Sequence, residues 1–193
     1  MTYRTAALCA GYGGLEQGLT LAGIDHELAW YSELEDSPAA DLLNIHTGAP
    51  NLGDLTQIVD PPEVDIMTAG FPCQPVSMAG QRKGTEDERW LIRDICNLAR
   101  RARAQYLILE NVPGLLSANS GDAMANVISA LAEARFSARW TSLRASDIGA
   151  CHRRERWFAI ATDTSSVGRS SWSRPRSSEQ AQRGRHGPSL NNR

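Results

Sequence analysis

Thr5 to Cys9 is a short apolar run that leads into Gly11-Tyr12-Gly13-Gly14, and Leu15, Leu19 and Ala22 follow at helical spacing. The order is strand, glycine turn, helix. A helix launched from the end of a strand commits the chain to a crossover, and hence to parallel pairing with the next strand. Later segments repeat the alternation. Glu27 to Tyr31, Asp65 to Ala69 and Tyr106 to Leu109 read as strands. Ser37-Pro38 opens a helix running to about His46, with proline in its first turn. Glu86 to Arg103 reads as a long helix whose apolar stripe is Trp90, Leu91, Ile95 and Leu98. Asp122 to Ala134 reads as another, with Met124, Val127, Ile128 and Leu131 facing inward. Phe136 to Leu143 and Trp157 to Ala161 are two further strands joined without a helix, which predicts an antiparallel pair. The expected fold is α/β, a mostly parallel sheet with helices on both faces and an antiparallel final strand.

The 193 residues make about one domain and a remainder, with 41% hydrophobic and 22% charged residues. No run of 18 apolar residues is present, so no membrane span is expected, and Met1 to Ala10 does not read as a secretory signal. Cys9, Cys73, Cys96 and Cys151 stand far apart without a CxxC pair, which speaks against a zinc site or disulfide framework. A reducing, cytoplasmic compartment is expected. The net charge of −2 conceals an asymmetry: residues 164–193 carry +5 and residues 1–163 carry −7. An acidic body argues against a general electrostatic grip on nucleic acid and leaves room for a local one. Residues 164–193 hold eight Ser and six Arg without periodicity. They read as a disordered tail after a domain spanning 1–163.

Glycines at 11, 13 and 14 allow close approach of a ligand where a strand feeds a helix. Glu16 breaks the full GxGxxG pattern, so the turn alone specifies little. Glu33 lies 20 residues after Gly13, at the end of the second strand, where a carboxylate accepts from ribose hydroxyls. Gly53-Asp54 follows the next helix, and its carboxylate suits an adenine amino group. Together these acids fit an adenosine-containing cofactor, either a nicotinamide dinucleotide or S-adenosylmethionine. Gly70-Phe71-Pro72-Cys73-Gln74-Pro75-Val76-Ser77 follows a buried strand, in a stretch to Thr85 that reads as a loop. Prolines on both sides of Cys73 fix the backbone and favour an exposed thiol.

Leu8-Cys9-Ala10-Gly11-Tyr12-Gly13-Gly14, the Pro72-Cys73-Gln74 loop, Glu110-Asn111-Val112 and Arg153-Arg154-Glu155-Arg156 occur in this order. In this the chain resembles the DNA (cytosine-5)-methyltransferase family over about residues 4–162. Ser32-Glu33-Leu34-Glu35 looks like the family's ribose-contacting motif, and Gly53-Asp54-Leu55-Thr56 like its adenine-contacting motif. The resemblance implies a Rossmann-like methyltransferase using S-adenosyl-L-methionine on double-stranded DNA, in restriction-modification or phage self-protection. It implies that Cys73 is the thiolate that adds to carbon 6 of a flipped-out cytosine. Glu110 would hold the proton at ring nitrogen 3, and Arg154 and Arg156 would stand near the base and its phosphate. Arg156 and Arg154 alternate, so on an extended segment they share one face. Asn111 would order the loop. Ser77, Gln81 and Lys83 would lie on the segment that closes over the base. Cys9, Gly11, Tyr12, Gly13, Gly14, Leu15, Glu33, Leu34, Asp54, Leu55, Pro72 and Leu91 would contact the cofactor. No metal is implied.

Three departures from the family pattern stand out. Cys9 replaces a Phe that stacks on the cofactor's adenine in many members. Cys151 and His152 replace a usual Pro and Gln. The third is an expectation about extent: after the arginines, members continue into a target-recognition region and return through an Asn-rich motif, whereas Asn191-Asn192 lacks that motif's glycine and apolar context. A truncated product, a frameshifted tail, or half of a split enzyme needing a second chain each explain this, and a chain that needs no partner is expected to be a monomer. Two other functions compete with an active methyltransferase: a cofactor- and DNA-binding remnant without turnover, and a nicotinamide-dependent oxidoreductase. An RNA substrate also remains open, although the Cys-Phe-Thr signature of the transfer-RNA branch is missing.

Overall fold

A computed structural model describes residues 1–34, 38–72 and 91–166. Six strands form one sheet: β1 (Tyr3–Leu8), β2 (His26–Ser32), β3 (Ile66–Gly70), β4 (Tyr106–Asn111), β5 (Phe136–Arg144) and β6 (Glu155–Asp163). Their spatial order is β2-β1-β3-β4-β6-β5. The pairs β1–β2, β1–β3 and β3–β4 are parallel, and β6 runs antiparallel to both β4 and β5. The expected α/β architecture, with its antiparallel last strand, is the one observed.

Burial explains which strands were easy to read. Thr5, Ala6, Ala7 and Leu8 are all completely buried, because helices cover both faces of this inner strand. A strand buried on both sides shows a continuous apolar run rather than an alternation. Helix α1 (Gly14–Leu21) and helix α2 (Pro38–Thr47) lie on one side, where Ala7, Tyr31, Leu43 and Ala49 pack together. Helix α3 (Leu91–Arg101) and helix α4 (Asp122–Glu133) lie on the other. There Ile92, Ile95, Leu98, Val127 and Leu131 pack against Leu8, Met67, Leu107, Leu109 and Trp157.

Three details differ from expectation or lie beyond the described residues. Residues 86–90, including Trp90, lie outside the described set, and the buried stripe of α3 is Ile92, Ile95, Cys96, Leu98 and Ala99, with Leu91 only half-buried. In α4, Ile128 is 44% exposed, and Ala123 and Ala130 turn inward with Met124, Val127 and Leu131. Two adjacent residues such as Val127 and Ile128 stand 100° apart on a helix, so a narrow contact with β5 and α3 takes only one of them. β4 also takes in Glu110 and Asn111, two residues beyond the expected strand. The domain boundary expected at 163 falls at the last residue of β6. Thr164–Ser166 add a short 3-10 turn, with the Thr164 amide donating to the Arg135 carbonyl at 2.9 Å. The remainder of the tail reading, from 167 onward, lies outside the described residues. No helix among the described residues is long and apolar enough to cross a membrane.

The α4 register has a direct test. Leu131→Ala should cost about 2–5 kcal/mol in equilibrium urea unfolding, as a buried large-to-small change. Ile128→Ala should cost under about 1 kcal/mol, as a surface change.

Candidate active site

The direction in which strands are added reverses at β1: β2 lies on one side of it and β3 on the other. The carboxyl ends of β1, β3 and β4 therefore open a crevice at a topological switch point, the usual ligand position in open α/β sheets. The glycine turn sits at its edge. The Gly13 amide donates to the Ala10 carbonyl at 2.9 Å, and the Gly13 carbonyl receives the Gln17 amide at 3.0 Å to open α1. Gly13 has φ 73°, a conformation that favours glycine, and a Cβ there would press on Leu43 Cδ2 at 3.0 Å. Cys9 itself has φ 47°, an uncommon left-handed conformation for a residue with a Cβ.

The turn and the expected ribose acid are brought together. The Gly11 amide donates to Glu33 Oε2 at 2.9 Å. Asn51, which the sequence reading passed over, holds this corner. Its Oδ1 accepts from the amides of Glu33 (3.1 Å) and Gly53 (3.0 Å), and its Nδ2 donates to the Glu33 carbonyl at 3.0 Å. A lone Asn after Ala49-Pro50 carries no sequence signal for such a role. Only its parallel bridge to Tyr31 reveals it. Asp54 caps the next short turn, its Oδ1 accepting from the Thr56 amide at 2.9 Å and the Thr56 hydroxyl at 2.8 Å. Leu55 is part of the core, whereas Leu34 and Tyr12 are largely exposed. Burial, then the nearby Glu33 and Asp54 carboxylates, push the Cys9 thiol up to about 11.

A cavity of about 340 Å³ opens between the turn and the sheet, with Cys9, Leu15, Glu16, Thr68, Glu110 and Phe158 in its wall. Gly14 and Gly70 also border it. Glu110 comes from the end of β4. Its Oε1 receives Arg156 Nε at 2.7 Å, with the two side chains 27% and 23% exposed. The register accounts for the pair: Glu110 stands opposite Phe158, so Arg156 lies one step along the same face of β6. Arg154, expected to act alongside it, is not brought to Glu110. It lies before β6 begins, is exposed, and its amide donates to His152 Nδ1 at 3.3 Å. Arg154 stands just before β6 and Arg156 is the second residue inside it.

Asn111 is 2% exposed and ties β4 to the segment after β3, with Nδ2 donating to the Phe71 carbonyl at 3.0 Å. Its Oδ1 accepts from the Val112 amide at 2.7 Å. This bond fixes where the Phe71-Pro72 segment leaves the sheet. Cys73, Gln74, Ser77, Gln81 and Lys83 lie outside the described residues, and Pro72 is exposed. Glu16 is the other acid that the sequence reading missed, having registered only as a break in a glycine pattern. It is 8% exposed, bonded to the Thr68 hydroxyl, and its carboxyl is pushed upward chiefly by burial. Sequence offers no signal for it beyond its place in the first turn of α1.

A sheet of this order with a glycine turn, a ribose-side acid and a Glu–Arg pair around one crevice defines a Rossmann-like methyltransferase domain. A family model for C-5 cytosine-specific DNA methylase matches residues 3–190, and the chain belongs to that family. It is 33% identical over 161 residues to the type II methyltransferase M.NlaX of Neisseria lactamica, covering 82% of this chain and 51% of that protein. It is 33% identical over 156 residues to M.HhaI of Haemophilus parahaemolyticus, covering 79% of this chain and 47% of the other. The Dnmt2 methyltransferase of S. pombe shares the fold, with a TM-score of 0.65 at 19% identity, over 83% of this chain and 49% of that one. The chain thus spans about half the length of these relatives.

Two outcomes follow from this geometry. Asn111→Ala should lower stability by about 1–3 kcal/mol in urea unfolding, since the Phe71 carbonyl loses its partner. Alkylation by iodoacetamide at pH 8 should modify exposed Cys151 well before Cys9, whose thiolate becomes abundant only towards pH 11.

Proposed function

We propose that this chain forms the catalytic part of a DNA (cytosine-5)-methyltransferase, acting on a cytosine flipped out of double-stranded DNA inside a bacterial cell, of host or phage origin. The observation that carries the reading is the Arg156–Glu110 pair beside the glycine-turn cavity, within a chain that carries Pro72-Cys73-Gln74. Membership of the C-5 cytosine-specific family supports it.

The residues present fit S-adenosylmethionine. Glu33, oriented by the Gly11 amide, and Asp54 suit the adenosine, and the left-handed Cys9 lets the backbone pass close beneath it. Tyr12, Gly13, Gly14, Leu15, Leu34, Pro72 and Leu91 complete the proposed contact set, with Leu55 acting from the core. When bound, the cofactor supplies an electrophilic methyl group. In the proposed chemistry the Cys73 thiolate forms a bond to carbon 6 of cytosine. Electron density moves onto carbon 5 while Glu110 donates its proton to nitrogen 3. Carbon 5 takes the methyl group; it then loses its proton to a base, nitrogen 3 returns its proton to Glu110, and the bond to Cys73 breaks. Arg156 orients the Glu110 carboxyl, and Arg154, exposed nearby, suits a phosphate.

A second reading, that another polypeptide completes the enzyme, is favoured by one feature of the sheet. Opposite α3 and α4, Tyr106, Ile108 and Phe158 are only half-buried, and Ile160 and Leu143 are 43% and 45% exposed. That partner would supply target recognition.

Incubation with S-adenosylmethionine and duplex DNA carrying 5-fluorocytosine in many contexts should give a denaturation-resistant adduct at Cys73. Methyl transfer by a folded Cys73→Ser variant would sink the thiolate role. Glu110→Gln should lower the rate about 10²–10⁴-fold while cofactor affinity stays within about twofold. An adduct formed only after a second chain is added would establish the split reading.

A further inference from the structure

The chemistry above leaves one buried acid without a part. Glu16 is 8% exposed in the wall of the cavity that also holds Glu110, and its Oε2 lies 3.6 Å from where a Cβ on Gly13 would stand. It accepts a hydrogen bond from Thr68, which tilts it towards β3. His26 faces it from behind, with Nε2 3.1 Å from the Glu16 carbonyl, and Glu110 is the acid across the cavity. If the role were only to join α1 to β3, a glutamine would serve equally and would avoid the cost of desolvating a carboxyl.

The strand order places this carboxyl. From one side to the other stand Glu33 after β2, Cys9 and Gly11 after β1, Thr68 and Gly70 on β3, and Glu110 on β4. With adenosine at the Glu33 end and the methyl directed towards Glu110, the third arm of the cofactor extends over β1 and β3. That arm ends in an amino acid. We propose that Glu16 is a specificity residue whose carboxylate receives the α-ammonium of the aminoacyl arm of S-adenosylmethionine. The inference rests on the reading that this cavity holds that cofactor.

Binding of three ligands to the full chain, measured by calorimetry, separates the possibilities. S-adenosylmethionine carries the ammonium and a sulfonium, S-adenosylhomocysteine only the ammonium, and methylthioadenosine neither. Glu16→Gln should weaken the first two by roughly tenfold to a hundredfold and leave methylthioadenosine unchanged. Thr68→Val, which keeps the charge but removes its orienting bond, should give a smaller loss confined to the same two ligands. Burial raises the Glu16 carboxyl, so the folded state holds its proton more tightly. The stability this brings is full below the ordinary glutamate value and is lost as pH rises through the raised one. Glu16→Gln should therefore melt at the same or a higher temperature at pH 7 without ligand, an outcome that a purely structural acid would reverse. Equal weakening of all three ligands, or of none, by the folded variants overturns the inference. Weakening of S-adenosylmethionine alone moves Glu16 to the sulfonium and overturns the ammonium assignment. A wild-type chain that binds none of the three overturns the cofactor reading itself.

Discussion

The position of β1 between β2 and β3 is the constraint on which the crevice depends. Because the chain leaves β1 towards one edge and returns to its other side, the loops after β1 and β3 diverge and leave room for a ligand between them. A sheet wound in one direction only would have closed that gap. The small residues of β1, Ala6 and Ala7, let helices approach both faces, and the strand pairs with both neighbours, with one register shift against β2 between Thr5 and Ala6. The turn at Gly11 and Gly13 then emerges at a fixed height above the sheet.

Two side-chain amides, Asn111 buried and Asn51 half-buried, convert that frame into a site. Asn51 joins the end of β2 to the Gly53-Asp54 corner, and Asn111 joins the end of β4 to the exit from β3. Each satisfies main-chain groups that would otherwise lose their partners away from water, which is why an amide serves where an apolar residue of similar size would not. Neither touches the proposed chemistry. They fix the positions of Glu33 and of the Phe71-Pro72 segment.

The antiparallel β6 makes a separate contribution. It brings Arg156 across from a distant part of the chain to the Glu110 carboxyl, and the alternation of strand side chains puts the partner on the same face. The same alternation leaves Ile108 and Phe158 half-exposed on that face, while Leu107, Leu109, Trp157 and Ala159 fill the core on the other.

The order of elements, the α/β class, the glycine turn and the family are legible along the chain. These are local: period, composition and short motifs lie within one stretch of chain. The sequence did not reveal that Ile128 turns outward, because adjacent apolar residues on a helix compete for one contact and the winner depends on what packs there. Arg154 and Arg156 alternate along the chain, and the cross-strand register pairs Arg156 with Glu110 while Arg154, just before β6, is exposed. Asn51 and Glu16 carried no local signal. Their roles come from groups brought near by folding: the Glu33 and Gly53 amides, the Thr68 hydroxyl, and a cavity shared with Glu110. Long-range register and burial are properties of the packed sheet, set only when distant segments of the chain meet.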